Sequence, residues 1–157
     1  MSKATPATLW LSKQGIAYET RTYDYDADSP RIGLQAAEAM GEPPSRVLKT
    51  LMALVDGKPV CVILPSDREL SMKKVAAAFG GKSAGMMPVA DAERISGYKV
   101  GGVSPFGQRR KLPTAIERTA LGEPYVYVNG GQRGLQAKLV PADLQRALDA
   151  VTADLIA

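Results

Sequence analysis

Val47-Leu-Lys-Thr-Leu-Met-Ala-Leu-Val-Asp-Gly-Lys-Pro-Val-Cys-Val-Ile-Leu64 is the part of the chain from which its architecture follows. Two apolar runs, Val47 to Val55 and Lys58 to Leu64, flank Asp56-Gly57, and Asp-Gly between such runs is a strong signal for a two-residue β-hairpin. Lys49 and Thr50 are thereby expected on a strand rather than a loop. A lysine on an apolar strand must reach solvent, a carboxylate or an anionic ligand, because burying its charge unpaired is costly. Cys61, the sole cysteine, sits within the second run and reads as a core thiol, and no internal disulfide can form.

On the N-terminal side, Thr5 before Pro6 is a helix cap followed by proline at the first helical position, so a short helix carrying Leu9 and Leu11 is predicted, ending at Gly15. Tyr18 to Tyr25 alternates like a strand. Ser29-Pro30 repeats the cap signal and predicts a helix over Arg31 to Met40 that closes at Gly41, after which Pro43-Pro44 forces a turn.

On the C-terminal side, Ser71 caps a predicted helix, Met72 to Phe79, with Val75, Ala78 and Phe79 inward and Lys73 and Lys74 toward solvent; Gly80-Gly81 stops it. Pro88 to Ile95 is a further helix ending near Gly97. Strands are expected at Thr114 to Arg118, Tyr125 to Val128 and Leu135 to Val140, and Pro141 opens a last helix through about Ala153. Strands outnumber helices and several are joined by short turns, which indicates an α+β fold rather than a doubly wound parallel sheet. With 157 residues, 45% of them hydrophobic, and neither repeat nor linker, residues 1–157 are expected to form one domain.

Composition excludes several kinds of chemistry. The chain has no histidine, which removes Ser-His-Asp and Cys-His nucleophiles, imidazole bases and most zinc or iron sites. No apolar run approaches the roughly 20 residues that span a bilayer, and Met1 to Pro6 lacks a signal-peptide stretch, so a cytoplasmic protein without a membrane partner is expected. A net charge of +4 suits a polyanionic partner without demanding one.

Three further segments could carry chemistry. Gly101-Gly-Val-Ser-Pro105 can bring backbone N–H groups close to a ligand, or can be a tight turn. Asn129-Gly-Gly-Gln-Arg-Gly134 reads as a hairpin connection and matches neither a phosphate loop nor a dinucleotide fingerprint. Arg109-Arg110-Lys111 could lean on phosphates, or be a solvated charge run.

Several of these segments occur in an order and spacing that resemble one family. They are Tyr23 after the first strand, Val47-Leu-Lys-Thr-Leu51, Leu70-Ser-Met-Lys-Lys-Val-Ala76, Gly97-Tyr-Lys-Val-Gly-Gly-Val-Ser-Pro-Phe-Gly-Gln108, Leu112-Pro-Thr114 and Gly130-Gly-Gln-Arg-Gly-Leu135. Together they resemble the YbaK/EbsC family, free-standing relatives of the editing domain inserted in bacterial prolyl-tRNA synthetases.

The resemblance implies a mixed, partly barrel-like sheet with surrounding helices, and hydrolysis of mischarged aminoacyl-tRNA, most often tRNA for proline, with cysteine removed by the best-known branch. It implies aminoacylated tRNA and prolyl-tRNA synthetase as partners, and no cofactor or metal. Lys49 takes the family's essential position, holding the anionic acceptor end. Gly101 and Gly102, with Ser104 and Pro105, match a loop whose amides stabilise the developing oxyanion. Tyr23 and Thr50 match pocket positions, and Gly130, Gly131 and Arg133 match the late loop.

Three positions depart from the cysteine branch: Ile32 stands where an aromatic residue is familiar, and Asn129 and Gln136 stand for a serine and an aspartate. The absence of histidine agrees with substrate-assisted chemistry, in which the cysteine thiol attacks its own ester or the terminal ribose hydroxyl activates water. Two alternatives stay open: a deacylase for serine, threonine, alanine or 2-aminobutyrate, and a non-catalytic module that binds tRNA or a synthetase.

Overall fold

The computed structural model describes residues 4–29 and 34–157. The element order is α1 (Pro6–Lys13), β1 (Glu19–Thr22), α2 (Gln35–Met40), β2 (Leu48–Val55), β3 (Lys58–Pro65), α3 (Met72–Ala78), β4 (Ala84–Met86), α4 (Val89–Ser96), β5 (Thr114–Glu117), a 3-10 turn (Arg118–Gly122), β6 (Val126–Asn129), β7 (Leu135–Leu139), α5 (Pro141–Leu148) and β8 (Val151–Ala153). The fold is α+β, as expected from the alternation of short strands and helices.

The central hairpin forms as its sequence dictates. Asp56 and Gly57 take φ of 49° and 81°, and Val55 pairs with Lys58. Around it the strands form a mixed five-stranded sheet ordered β4-β2-β3-β5-β8, in which β3, β5 and β8 run parallel, and a three-stranded antiparallel sheet ordered β1-β7-β6. A parallel bridge from Val47 to Tyr127 joins the two sheets, with the Tyr127 N–H donating to the Arg46 carbonyl at 2.7 Å. The join makes the β-structure partly barrel-like.

The helices cover the sheets by the signals in their ends. Thr5 and Thr8 form a reciprocal capping box at α1, which buries Leu11 and leaves Leu9 61% exposed. Ser71 accepts from the Lys74 N–H at α3, and Gly41 and Gly97 end α2 and α4 in the left-handed conformation. One core lies under α1 and α5, around Leu11, Ile63, Phe106, Ile116, Val128 and Leu144; a second lies beneath α3, around Val62, Val75 and Leu155. Among the described residues no helix is long and apolar enough to cross a membrane.

Several boundaries differ from expectation. The last helix stops at Leu148 because Asp149 turns left-handed with φ 50°, and Val151–Ala153 then becomes β8, parallel to β5. The β-branched pair Val151-Thr152 suits that strand better than a helix end. β4, too short and glycine-containing to be legible, exists by pairing with Ala53 to Val55. β1 is confined to Glu19–Thr22, and Arg118 belongs to the 3-10 turn. Lys74 is held by Asp154 at 2.8 Å rather than facing solvent freely. The expected start of the second helix, Arg31 to Gly33, lies outside the described residues.

β8 and the C-terminus are held by a buried carboxylate. Glu117, 0% exposed, accepts from the Leu155 N–H at 2.8 Å and the Thr119 N–H at 2.9 Å. Burial pushes its carboxyl up, but the hydrogen bonds from Leu155 and Thr119 outweigh that and hold it below the ordinary value. Because the folded value is depressed, this stabilisation is fully present above the unfolded carboxylate range, about 4.3, and is lost as pH falls through the lower folded value. Glu117→Ala orphans two amides and is expected to cost about 3 kcal/mol in urea unfolding at pH 7. It should also flatten the acid limb of the stability curve; unchanged stability at both pH 7 and pH 4 would contradict this role.

Candidate active site

Beside the join of the two sheets, β2 begins with Leu48, Lys49 and Thr50, while β6 ends at Asn129 directly opposite Gln136 of β7. These strand ends, with residues 100–103 and the flank of α4, enclose a cavity of about 320 Å³. Its wall includes Tyr23, Lys49, Thr50, Gly101, Asn129 and Gln136. The polar residues expected from the sequence to shape an acyl pocket thus converge from four separate segments. Its size is at the small end of ligand pockets, roughly 300–1,000 Å³.

The rest of the lining is largely apolar, with Met52, Met87, Ala92 and Val103 on one side and Met86, Val89 and Val100 partly exposed at the rim. Residues 48–52 of β2 all border the cavity, Lys49, Thr50 and Met52 among them. No carboxylate lines the cavity among the described residues. Lys49 therefore supplies the one full charge that the described residues bring to that wall. Its side chain is 20% exposed, and its ammonium lies 4.0 Å from Glu69, a carboxylate that is itself 88% exposed and so heavily screened.

Two buried polar atoms in the wall lack a hydrogen-bond partner: Thr50 Oγ1 and Gln136 Oε1. Gln136 is only 4% exposed. An orphaned buried acceptor carries an unrecovered desolvation cost of about 1–3 kcal/mol, which a ligand offering a donor there would relieve. Tyr23 is raised above the ordinary tyrosine range by burial and by its neighbour Tyr25, opposed by hydrogen bonds with the Gln136 side chain and the Gly134 backbone. The phenol stays protonated at neutral pH.

Asn129 ties the two glycine-rich loops together. Its Nδ2 donates to the Gly101 carbonyl at 3.1 Å, and its Oδ1 accepts from the Gly131 and Gln132 N–H groups at 2.7 and 3.2 Å. Gly101 has φ of 90°, and a Cβ there would sit 2.6 Å from Tyr25 Oη, so this position requires glycine twice over.

Other residues expected at the site lie behind it. The Gly102 N–H donates to the Lys99 carbonyl at 2.8 Å and is therefore not available to a ligand; a Cβ at Gly102 would meet the Arg133 backbone at 2.9 Å. Ser104 is fully buried and accepts from the Phe106 N–H, and Pro105 is buried beside it. The Gly130 carbonyl accepts from Thr5 Oγ1 at 2.5 Å, and Gly131 packs against Tyr98, Thr5 and Ala7, so both glycines serve loop packing. Arg133 donates from Nε to the Val100 carbonyl at 2.8 Å and lies over the Tyr25 ring at 5.3 Å, outside the cavity wall. Ile32 lies outside the described residues.

Sequence reasoning missed Tyr25 and the methionine lining. Tyr25 had a signal in its spacing of two from Tyr23, but the chain leaves β1 after Thr22, so a strand pattern could not place it. Cys61, by contrast, is buried as expected; burial pushes its thiol up to about 12, which keeps it protonated and inert. Among the described residues no group of three or more Cys, Asp or Glu side chains is arranged to hold a metal ion.

A model of the aminoacyl-tRNA editing domain matches residues 33–147. The proposed Cys-tRNA(Pro)/Cys-tRNA(Cys) deacylase EbsC of Enterococcus faecalis is 36% identical over 139 residues, covering 87% of this chain and 84% of that protein. The proline–tRNA ligase of Geobacter metallireducens is 30% identical over 101 residues, which is 64% of this chain but only 17% of the ligase. A solved structure of a proposed trans-editing enzyme for prolyl tRNA synthetase superposes with a TM-score of 0.86 over 99% of each chain at 22% identity, which fixes the fold. From its sequence, its fold and its match over most of its length, the chain belongs to the aminoacyl-tRNA editing domain family.

Proposed function

We propose that residues 1–157 form one domain that hydrolyses mischarged tRNA in the cytoplasm, with Cys-tRNA(Pro) as substrate and prolyl-tRNA synthetase as a partner. The observation that carries this reading is the convergence in one small cavity of a lone ammonium, Lys49, with two buried polar atoms that lack partners, Thr50 Oγ1 and Gln136 Oε1. A small aminoacyl ester supplies what Gln136 and Lys49 need. Its α-ammonium donates to Gln136 Oε1, and its sugar-phosphate end is anionic and suits Lys49.

In this reading water attacks the ester carbonyl, the bond to the ribose oxygen breaks, and that oxygen takes up the proton. The chain contributes orientation and electrostatics rather than a strong base: no histidine exists, and Tyr23 stays protonated. For a cysteinyl ester, the thiol can replace water as the nucleophile: its sulfur bonds to the carbonyl carbon to give a thiolactone, the bond to the ribose oxygen breaks, and that oxygen takes up the thiol proton. Of the two glycine amides in the 101–105 loop, only that of Gly101 remains for the oxyanion, because Lys99 holds the other. Specificity rests on volume and on neutral partners, and near-isosteric side chains differ by only about 1–3 kcal/mol in such pockets. Neutral Gln136 favours the second reading, a deacylase for alanine, serine or another small residue, to the extent that a charge-assisted contact to the α-ammonium is absent.

Lys49→Ala is expected to lower the single-turnover rate of Cys-tRNA(Pro) deacylation by about 100-fold or more with an unchanged circular dichroism spectrum. A folded variant with full activity would remove Lys49 from the mechanism. Gln136→Glu keeps the side-chain length and adds charge; it is expected to lower the half-saturating enzyme concentration for the ester about fivefold, equivalent to about 1 kcal/mol. An unchanged value would mean that Gln136 does not meet the α-ammonium. A panel of tRNA carrying cysteine, alanine or serine ranks the substrates, and cysteine hydrolysed no faster than the others would assign the second reading.

A further inference from the structure

Outside the cavity lies a cationic face that the acyl site does not use. Residues 99–112 build one wall of the cavity: Val100, Gly101 and Val103 line it, while the Gln108 amide reaches the Ser104 carbonyl at 3.0 Å. The same segment then turns outward. The Arg109 and Arg110 N–H groups donate to the Ser96 and Ile95 carbonyls at 3.0 and 3.3 Å, which pins the basic run against the C-terminal end of α4. The Arg109 side chain lies over Gly97 so closely that a Cβ there would come within 2.9 Å of its Cγ. Gly97 thus gives that side chain its seat.

Lys99, Arg109, Arg110 and Lys111 are all exposed. Among the described residues none of the four has a carboxylate within ion-pair distance, whereas Arg21, Arg94 and Arg146 are each paired. The nearby carboxylate, Glu93, turns an oxygen to the Val100 N–H at 2.9 Å. Arg133 extends the same face to the cavity mouth. Its Nε is held by the Val100 carbonyl and its guanidinium is stacked over Tyr25, and its terminal nitrogens make no hydrogen bond to the described residues. An arginine fixed in this way presents its remaining donors without further loss of rotamer freedom, which suits a phosphate. Gly97 and Val100, which seat Arg109 and Arg133, are three residues apart in sequence and so at most about 11 Å apart in space.

We infer that this face, from Arg133 at the mouth past Lys99 to Arg109, Arg110 and Lys111, is the track for the phosphodiester backbone of an RNA whose acylated end enters the cavity. That the RNA is an acylated tRNA rests on the proposed function; that the face holds a nucleic-acid backbone rests on the placement of its unpaired charges. Cations that contact phosphates position a backbone without reading bases, so the track contributes affinity and direction rather than sequence choice.

The test is binding of uncharged tRNA, followed by fluorescence anisotropy from 50 to 200 mM NaCl. The Arg109→Ala/Arg110→Ala/Lys111→Ala variant is compared with a control of equal charge loss away from the face, Lys13→Ala/Lys58→Ala/Lys82→Ala. The track variant is expected to lose at least tenfold in affinity at 100 mM salt, and its slope of log affinity against log salt should be shallower by roughly 2, given about 0.7–0.9 for each phosphate contact removed. The control should keep the slope of the unaltered protein. Equal losses in both variants, or no loss in the first, would overturn the inference. Cleavage of an acylated CCA trinucleotide by the unaltered protein reports separately on the deacylase reading: failure there sinks that reading, while the binding comparison still decides the track.

Discussion

Everything at the candidate site depends on one short join between two sheets. The Tyr127 N–H donates to the Arg46 carbonyl, and Val47 bridges Tyr127 in parallel, immediately before β2 carries Lys49 and Thr50 along the cavity. Arg46 reinforces the join from its side chain: its Nε is 2.8 Å from Glu123, and its guanidinium lies 5.0 Å from the centre of the Tyr125 ring. Without this bridge the five-stranded and three-stranded sheets would share no backbone hydrogen bond in the described structure, and β2 would not face Asn129 and Gln136. The cavity is therefore a consequence of partial barrel closure, and its polar groups are set by strand register rather than by flexible loops.

The site's electrostatics follow from what that register buries. Among the described residues a single cation stands in a wall without carboxylates, and two polar atoms are left without partners. Such an arrangement costs folding free energy, and strained or unsatisfied groups of this kind concentrate where a ligand will complete them. The glycine loops serve the same end indirectly. Asn129 bonds the Gly101 carbonyl and the Gly131 amide at once, so the early and late loops are fixed with respect to one another before anything binds. This is preorganisation: the protein meets the orientation cost in its fold instead of at the moment of reaction.

Much of this was legible in the chain because its strongest local signals are also its structural ones. Asp56-Gly57 between apolar runs specified the hairpin, and with it the strand position of Lys49; Thr5-Pro6 and Ser71 specified two helix starts. The boundaries that failed were set by tertiary partners. β4 and β8 are three residues each and are strands only because β2 and β5 offer them an edge, and Glu117 recruits the chain around Leu155 by a bond of long sequence separation. At the site, residue identity could be matched to a family pattern, but role could not. Gly102, Ser104, Gly130 and Gly131 carry family spacing for packing reasons that only atomic neighbours reveal, whereas the methionines line the cavity with no pattern of their own and Tyr25 lines it from beyond the end of β1.

The structure of the protein bound to a non-hydrolysable amide analogue of 3′-cysteinyl-adenosine would decide whether this cavity is an acyl site. The account predicts the cysteinyl group inside it, with the α-ammonium within hydrogen-bond distance of Gln136 Oε1 and the sugar-phosphate side toward Lys49. An analogue seated elsewhere, or with its acyl group outside a cavity that stays empty, would contradict it.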